Sequence, residues 1–163
     1  MSATEVLSAH VRKEIDRWTK RFPEGKHRSA VISALHAAQH ENDGYLSVEI
    51  LNGVAEYMNL PTIQVYEVAT FYSMFQTQPV GRHNVSICTN VSCMLRGADD
   101  VVDYVESKLG IKLGESTKDG RIYLKKEEEC LAACCGAPMM MVDHKYHENL
   151  TPENVDKILD RLK

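Results

Sequence analysis

Four apolar stripes at helical spacing occupy the first half of the chain. Leu7, Val11, Ile15, Trp18 and Phe22 recur at three- and four-residue intervals, which predicts one amphipathic helix stopped by Pro23 and Gly25. Val31, Ala34, Leu35 and Ala38 form a second stripe, closed by Asn42-Asp43-Gly44. Val48, Leu51, Ala55 and Met58 form a third, with Ser47 placed to cap it. Pro61 sits where a first-turn proline belongs, ahead of a fourth stripe of Val65, Val68, Ala69, Tyr72 and Phe75. Together these make a helical bundle, residues 1–78. A bundle of about seventy residues is marginal on its own and is expected to lean on something else.

Past Pro79-Val80-Gly81 the period shortens. Val85 and Ile87 alternate with polar neighbours in a strand that runs straight into Cys88. Residues 97–109 read as a helix, with Val102, Val105 and Leu109 on one face, Asp99 and Asp100 in the first turn and Gly110 beyond the end. Lys118-Asp119-Gly120 marks a turn before a strand at 121–125. Met139–Val142 reads as a buried strand, 146–150 as its hairpin partner, and Thr151-Pro152-Glu153 as the start of a last helix facing inward through Val155, Ile158, Leu159 and Leu162. Strand, helix, strand, strand, strand, helix is the minimal thioredoxin-like order. The fold class is therefore α+β, a helical bundle followed by a thioredoxin-like α/β domain over residues 79–163. Both cysteine-bearing loops would follow strand ends, where loops converge on a site in an open sheet.

Composition changes this picture little. With 163 residues, 44% apolar and 26% charged, the chain can hold one ordinary domain or two small ones. The net charge of −4 comes with no lysine or arginine stripe, which argues against nucleic-acid binding. The opening Met-Ser-Ala-Thr-Glu has no apolar signal core, and no transmembrane run follows, so a cytoplasmic setting is expected. No glycine-rich phosphate loop occurs, and no nucleotide site is expected in this chain.

The chemistry lies in the cysteines. Cys88 and Cys93 are spaced C-x4-C, and Cys130 and Cys134 C-x3-C. Four thiolates arriving from two loops suit a two-iron, two-sulfur cluster, in which each iron takes two cysteine sulfurs. A tetrahedral zinc ion also takes four, but usually from tighter C-x2-C knuckles. The spacing favours iron–sulfur and leaves zinc open. Disulfides fit poorly with a cytoplasmic chain holding five cysteines. Cys135 is expected to be an apolar filler beside Cys134. Met139, Met140 and Met141 read as packing. Phe71, Tyr72 and Phe75 read mostly as core, with one or two facing a partner. His144-x-x-His147 falls in a hairpin turn and is not expected to bind metal. Glu127-Glu128-Glu129 would either lower a nearby cluster's potential or form a plain solvated run.

The joint pattern resembles one family. The run from Val68 to Phe75 (Val-Ala-Thr-Phe-Tyr-Ser-Met-Phe) precedes Pro79-Val80-Gly81-Arg82-His83. Then come Cys88-x4-Cys93-Met94-Leu95-Arg96-Gly97 and Glu129-Cys130-Leu131-x-Ala133-Cys134-x-x-Ala137-Pro138-Met139. This resembles the thioredoxin-like ferredoxin subunit (E type) of NADH:quinone oxidoreductase, over nearly the whole chain. The same family serves NAD-linked formate dehydrogenases and hydrogenases. The resemblance implies a [2Fe-2S] cluster on Cys88, Cys93, Cys130 and Cys134. It implies electron transfer with a flavin subunit (F type) that carries FMN and the NADH site, inside a larger complex peripheral on the inner membrane. It implies no catalytic activity from the isolated chain, which acts as a subunit of the enzyme. The helix opening near Gly97 would aim N–H groups at the Cys93 loop and tune the cluster. The family usually has glycine where this chain has Ala132, so Ala132 would bear strain of about 1 kcal/mol if that position needs a positive φ. A zinc-stabilised interaction module is the competing class. A dithiol enzyme would want C-x-x-C, which is absent.

Overall fold

The structure is a computed structural model that describes residues 3–126 and 130–163. The chain separates into two compact units, Met1–Pro79 and Val80–Lys163.

In the first unit α1 spans Ala3–Val6, α2 Ala9–Thr19, α3 Val31–Glu41, α4 Val48–Tyr57 and α5 Thr62–Phe71, with a 3-10 turn at His27–Ala30. The first stripe is broken between α1 and α2 because the Ser8 hydroxyl accepts the Val11 N–H at 3.2 Å and starts a new helix. Ser47 caps α4 in the same way, accepting from the Ile50 N–H at 3.3 Å. Pro61 stands at the N-cap of α5, one place before the helix rather than inside it. The third stripe keeps its phase at Leu51, Ala55 and Met58, which are buried, but not at its first residue. Val48 is 58% exposed, and Ile50, Leu51, Val54 and Ala55 face inward. Of the three aromatics expected mostly in the core with one or two facing outward, Phe71 is 79% exposed at the last turn of α5. The backbone then turns extended at Tyr72, which returns Phe75 to the core. Gln39 on α3 holds that return, donating to the Met74 carbonyl at 3.0 Å and accepting the Gln76 N–H at 2.8 Å.

In the second unit β1 is His83–Ile87, α6 Val91–Met94, α7 Ala98–Leu109, β2 Ile122–Leu124, β3 Met140–Val142, β4 Lys145–His147 and α8 Pro152–Leu159. The sheet order is β2-β1-β3-β4. β1 runs parallel to β2 and antiparallel to β3, with Val85 opposite both Leu124 and Val142. Val85, Ile87, Ile122, Leu124, Met140 and Val142 share a core with Val101, Val102 and Val105 of α7 and Val155 and Leu159 of α8. Parallel pairing of β1 with β2 puts their C-terminal ends together, and antiparallel β3 begins at that same end. Cys88 follows β1 there, and the loop from Cys130 to Met139 leads into β3. Gly81 is required where the chain enters β1. A Cβ there would lie 2.6 Å from the Tyr123 nitrogen, closer than any real side chain approaches.

Candidate metal centre

Strand regularity places the first cysteine pair. Cys88 continues the line of β1 and donates its N–H to the Met139 carbonyl at 3.1 Å. Cys93 lies in α6, a four-residue helix opened by Asn90, whose carbonyl accepts the Cys93 and Met94 N–H groups at 2.9 Å each. Both side chains are buried, Cys88 2% exposed and Cys93 1%, among Ala98, Leu131, Ala137 and Met139. The second pair is different. Cys130 and Cys134 are exposed, the first on irregular backbone and the second at the start of a 3-10 turn, with their sulfurs 4.0 Å apart.

The two pairs meet. The Cys88 thiol is influenced by Cys93 and Cys130, and the Cys93 thiol by the charge of Cys134. Among the described residues, no three His, Cys, Asp or Glu side chains gather on one ion-sized point. Cys135 follows Cys134 in a 3-10 turn and is exposed, not the buried filler expected of it.

Main-chain dipoles converge on the sulfurs. The N–H groups of Leu131 and Asn90 are directed at Cys88, and that of Met139 at Cys93. Ala132 donates to the Cys130 sulfur at 3.4 Å. Burial works to raise the Cys88 thiol, but these N–H groups and the thiols of Cys93 and Cys130 hold it below its ordinary value. Cys93 is pushed up to about 11, by burial first and then by its bond to Cys88 and the Cys88 charge. The two neighbouring thiols are thus shifted in opposite directions, the pattern of two acids sharing one site. Electropositive N–H groups aimed at sulfur favour thiolate and metal–thiolate bonds.

Ala132 has φ +60, the left-handed region where glycine is at ease. That geometry turns its N–H toward Cys130. The Gly97 N–H itself is given to the Met94 carbonyl at 3.0 Å and is not turned to a sulfur. The donors that replace it carry no side-chain signature, so sequence reading missed them. The one available signal for α6 was Asn90, a good N-cap residue three places before Cys93. Around the buried pair, α6 presents an apolar rim, with Val91 58%, Met94 45% and Leu95 77% exposed. His144 sits in the β3–β4 turn at φ +67, and His147 on β4. Burial, with help from Lys145, pushes the His147 imidazole below its usual value. Glu127, Glu128 and Glu129 lie outside the described residues.

The thioredoxin-like [2Fe-2S] ferredoxin family model matches residues 15–163. Among curated proteins, the NADH-quinone oxidoreductase E-type subunit of Rickettsia bellii (strain RML369-C) is 45% identical over 141 residues, covering 86% of this chain and 83% of that protein. The NADH-quinone oxidoreductase E 2 subunit of Rhizobium meliloti (strain 1021) is 41% identical over 153 residues, covering 94% and 89%. Among solved structures, an NAD+-reducing [NiFe]-hydrogenase in its air-oxidised state superposes with a TM-score of 0.70 at 20% identity. That match covers 82% of this chain but 22% of the hydrogenase chain, and bears on the fold alone.

Proposed function

The chain belongs to the thioredoxin-like [2Fe-2S] ferredoxin family, and from that premise we propose that it is the electron-transfer subunit of an NADH:quinone oxidoreductase, with Cys88, Cys93, Cys130 and Cys134 holding its cluster. What supports the ligand assignment is the convergence of the two cysteine-bearing segments, Cys88 and Cys93 after β1 and Cys130 and Cys134 ahead of β3, at one end of the sheet. When bound, the cluster supplies one-electron transfer at low potential.

The chain's own residues prepare that site. Four thiols offer the sulfur donors. The N–H groups of Asn90, Leu131, Ala132 and Met139 stabilise negative charge on those sulfurs. Leu131, Ala137 and Met139 exclude water from the inner side. Relatives at 41% and 45% identity that are E-type subunits of the quinone-linked enzyme favour a quinone-linked complex. The hydrogenase likeness is one of fold.

The partner is the FMN- and NADH-binding subunit (F type), forming a heterodimer within the larger complex. The exposed rim of Val91, Met94 and Leu95 beside the cysteines supports this reading, since apolar surface around a redox site is ordinarily covered by a partner. Among the described residues no helix is long and apolar enough to cross a membrane. The chain reaches the inner membrane from the cytoplasmic side through the complex.

Anaerobically purified full chain should contain iron and acid-labile sulfide in equal amounts, about two of each, and give a rhombic EPR signal after dithionite. A colourless, zinc-loaded protein would overturn the assignment. Co-expressed with the flavin subunit it should co-purify and oxidise NADH with an artificial acceptor. NADH turnover by the flavin-free chain would move the chemistry out of the partner.

A further inference from the structure

The turn that carries Cys134 is pressed against a carboxylate. Cys134–Gly136 form a 3-10 turn, in which the Gly136 N–H donates to the Ala133 carbonyl at 3.0 Å and the Ala137 N–H to the Cys134 carbonyl at 3.3 Å. The segment between β4 and α8 runs along it. There the Asn149 N–H donates to the Gly136 carbonyl at 2.7 Å, and the Leu150 N–H to the Pro138 carbonyl at 2.9 Å. These two bonds hold Glu148 over the turn. A Cβ at Gly136 would lie 2.6 Å from the Glu148 Cβ and would collide with the Glu148 carboxylate as well. The carboxylate therefore touches the Gly136 Cα, within about 4 Å. Glycine is required at 136 because any side chain would take the space that Glu148 fills.

Contact of this kind places a charge without neutralising it. Glu148 is exposed, and among the described residues no hydrogen bond or ion pair holds its carboxylate. The neighbouring His147 brings no opposing charge at neutral pH, because burial, and then Lys145, pushes its imidazole below its usual value. Gly136 stands two residues after Cys134, so the Glu148 charge lies on the order of 10 Å from the Cys134 backbone.

We propose that Glu148 sets the redox potential of the site from outside its ligands, its carboxylate acting as a fixed negative charge beside the Cys134 turn. The inference rests on the reading of Cys130 and Cys134 as cluster ligands. Reduction adds one electron to the site, and a negative charge nearby disfavours that electron. Water around an exposed side chain weakens the field but does not remove it. Glutamine has the shape of glutamate without its charge, so packing and charge are separable at this position.

The test uses the full chain, loaded anaerobically with iron and sulfide, titrated with dithionite and followed by EPR. Glu148→Gln fills the same space and should raise the midpoint potential, increasing the equilibrium constant for reduction by about threefold. Glu148→Asp keeps the charge and should stay nearer the wild type than Glu148→Gln does. Salt screens an exposed charge, so the gap between wild type and Glu148→Gln should narrow from low to high ionic strength. Equal potentials in wild type and Glu148→Gln would overturn the proposal. So would Glu148→Asp shifted as far as Glu148→Gln, or a gap that salt leaves unchanged, because packing and not charge would then be at work. Iron and sulfide content of the same preparations separates the premises. A protein that takes up zinc and no cluster removes the reading on which the inference rests, whereas a loaded protein with an unmoved potential removes the inference alone.

Discussion

Cys88 and Cys93 are set by regular structure; Cys130 and Cys134 are set by a loop. The first pair sits on the end of β1 and in α6, buried among Ala98, Leu131 and Met139. The second stands exposed on backbone that includes a strained Ala132. The inner pair is fixed by the hydrophobic core and would keep its place with or without metal. The outer pair has little packing to hold it, and depends on main-chain hydrogen bonds, on the cluster, and on whatever covers α6. Burial and adaptability are thus divided between the two halves of one site.

The largest effects should come from the ligands and should differ between the halves. Cys88→Ser and Cys93→Ser should bring iron content to background, because a buried hydroxyl replaces a thiolate where nothing can rearrange. Cys130→Ser and Cys134→Ser should retain a cluster with altered visible and EPR spectra. Cys135→Ser should keep the native spectrum. Equal losses at all four ligand positions would erase the distinction.

Next in size is the rim. Leu95→Glu should weaken association with the flavin subunit by about tenfold or more, read by co-purification and titration, while iron content stays native. Leu95 is exposed in this chain, so folding should be spared. Loss of the cluster in this variant would mean that the outer side is packed more firmly than its exposure implies.

Ala132→Gly probes the loop from within. Relief of a left-handed alanine should stabilise the chain by roughly 1 kcal/mol in chemical denaturation, with the cluster spectrum unchanged. A destabilised variant would show that the methyl group packs rather than strains.

The smallest effect concerns the scaffold behind the inner pair. Lys108 on α7, and then the Tyr104 hydroxyl, hold the Asp156 carboxyl of α8 below its ordinary value. A depressed carboxylate contributes stability above its unfolded pKa, and this is lost as pH falls through the folded value. The melting temperature should therefore decline slightly below about pH 4, and Asp156→Asn should flatten that decline. The carboxylate is exposed and the lysine half-buried, so the change should be modest.

Much of this was written in side-chain periodicity. The alternation of Val85 and Ile87, the Thr151-Pro152 start of α8 and the Ser47 cap each have a local physical cause, and each appears where that cause puts it. The misses share a reason too. Ser8 outcompeted a continuous helix, because a cap bond is decided by one hydroxyl and not by a stripe. The third stripe was read with Val48 inward, but that residue opens α4 and the inward face begins at Ile50. Phe71 looked like core by type, and only the extended turn at Tyr72 shows which aromatic ring goes back inside. The N–H groups around the sulfurs left no trace in residue identity, since every residue but proline carries one. Ala132 is the exception, because a position where the family usually has glycine signals a main-chain requirement.

The parallel pairing of β1 with β2 also sets an order of events in biogenesis. Helices of the first unit can form from near neighbours in sequence as they leave the ribosome. The cysteine pocket cannot. β1 gains its parallel neighbour only when Leu124 has been made, and its antiparallel one only when Val142 has. Until then Cys88 waits at the end of an unpaired strand, and the carbonyl that takes its N–H does not exist. Loading with iron and sulfide is thus a late step on a nearly finished chain, and any slowing of synthesis between the two cysteine pairs prolongs the time when Cys88 and Cys93 stand open to oxidation.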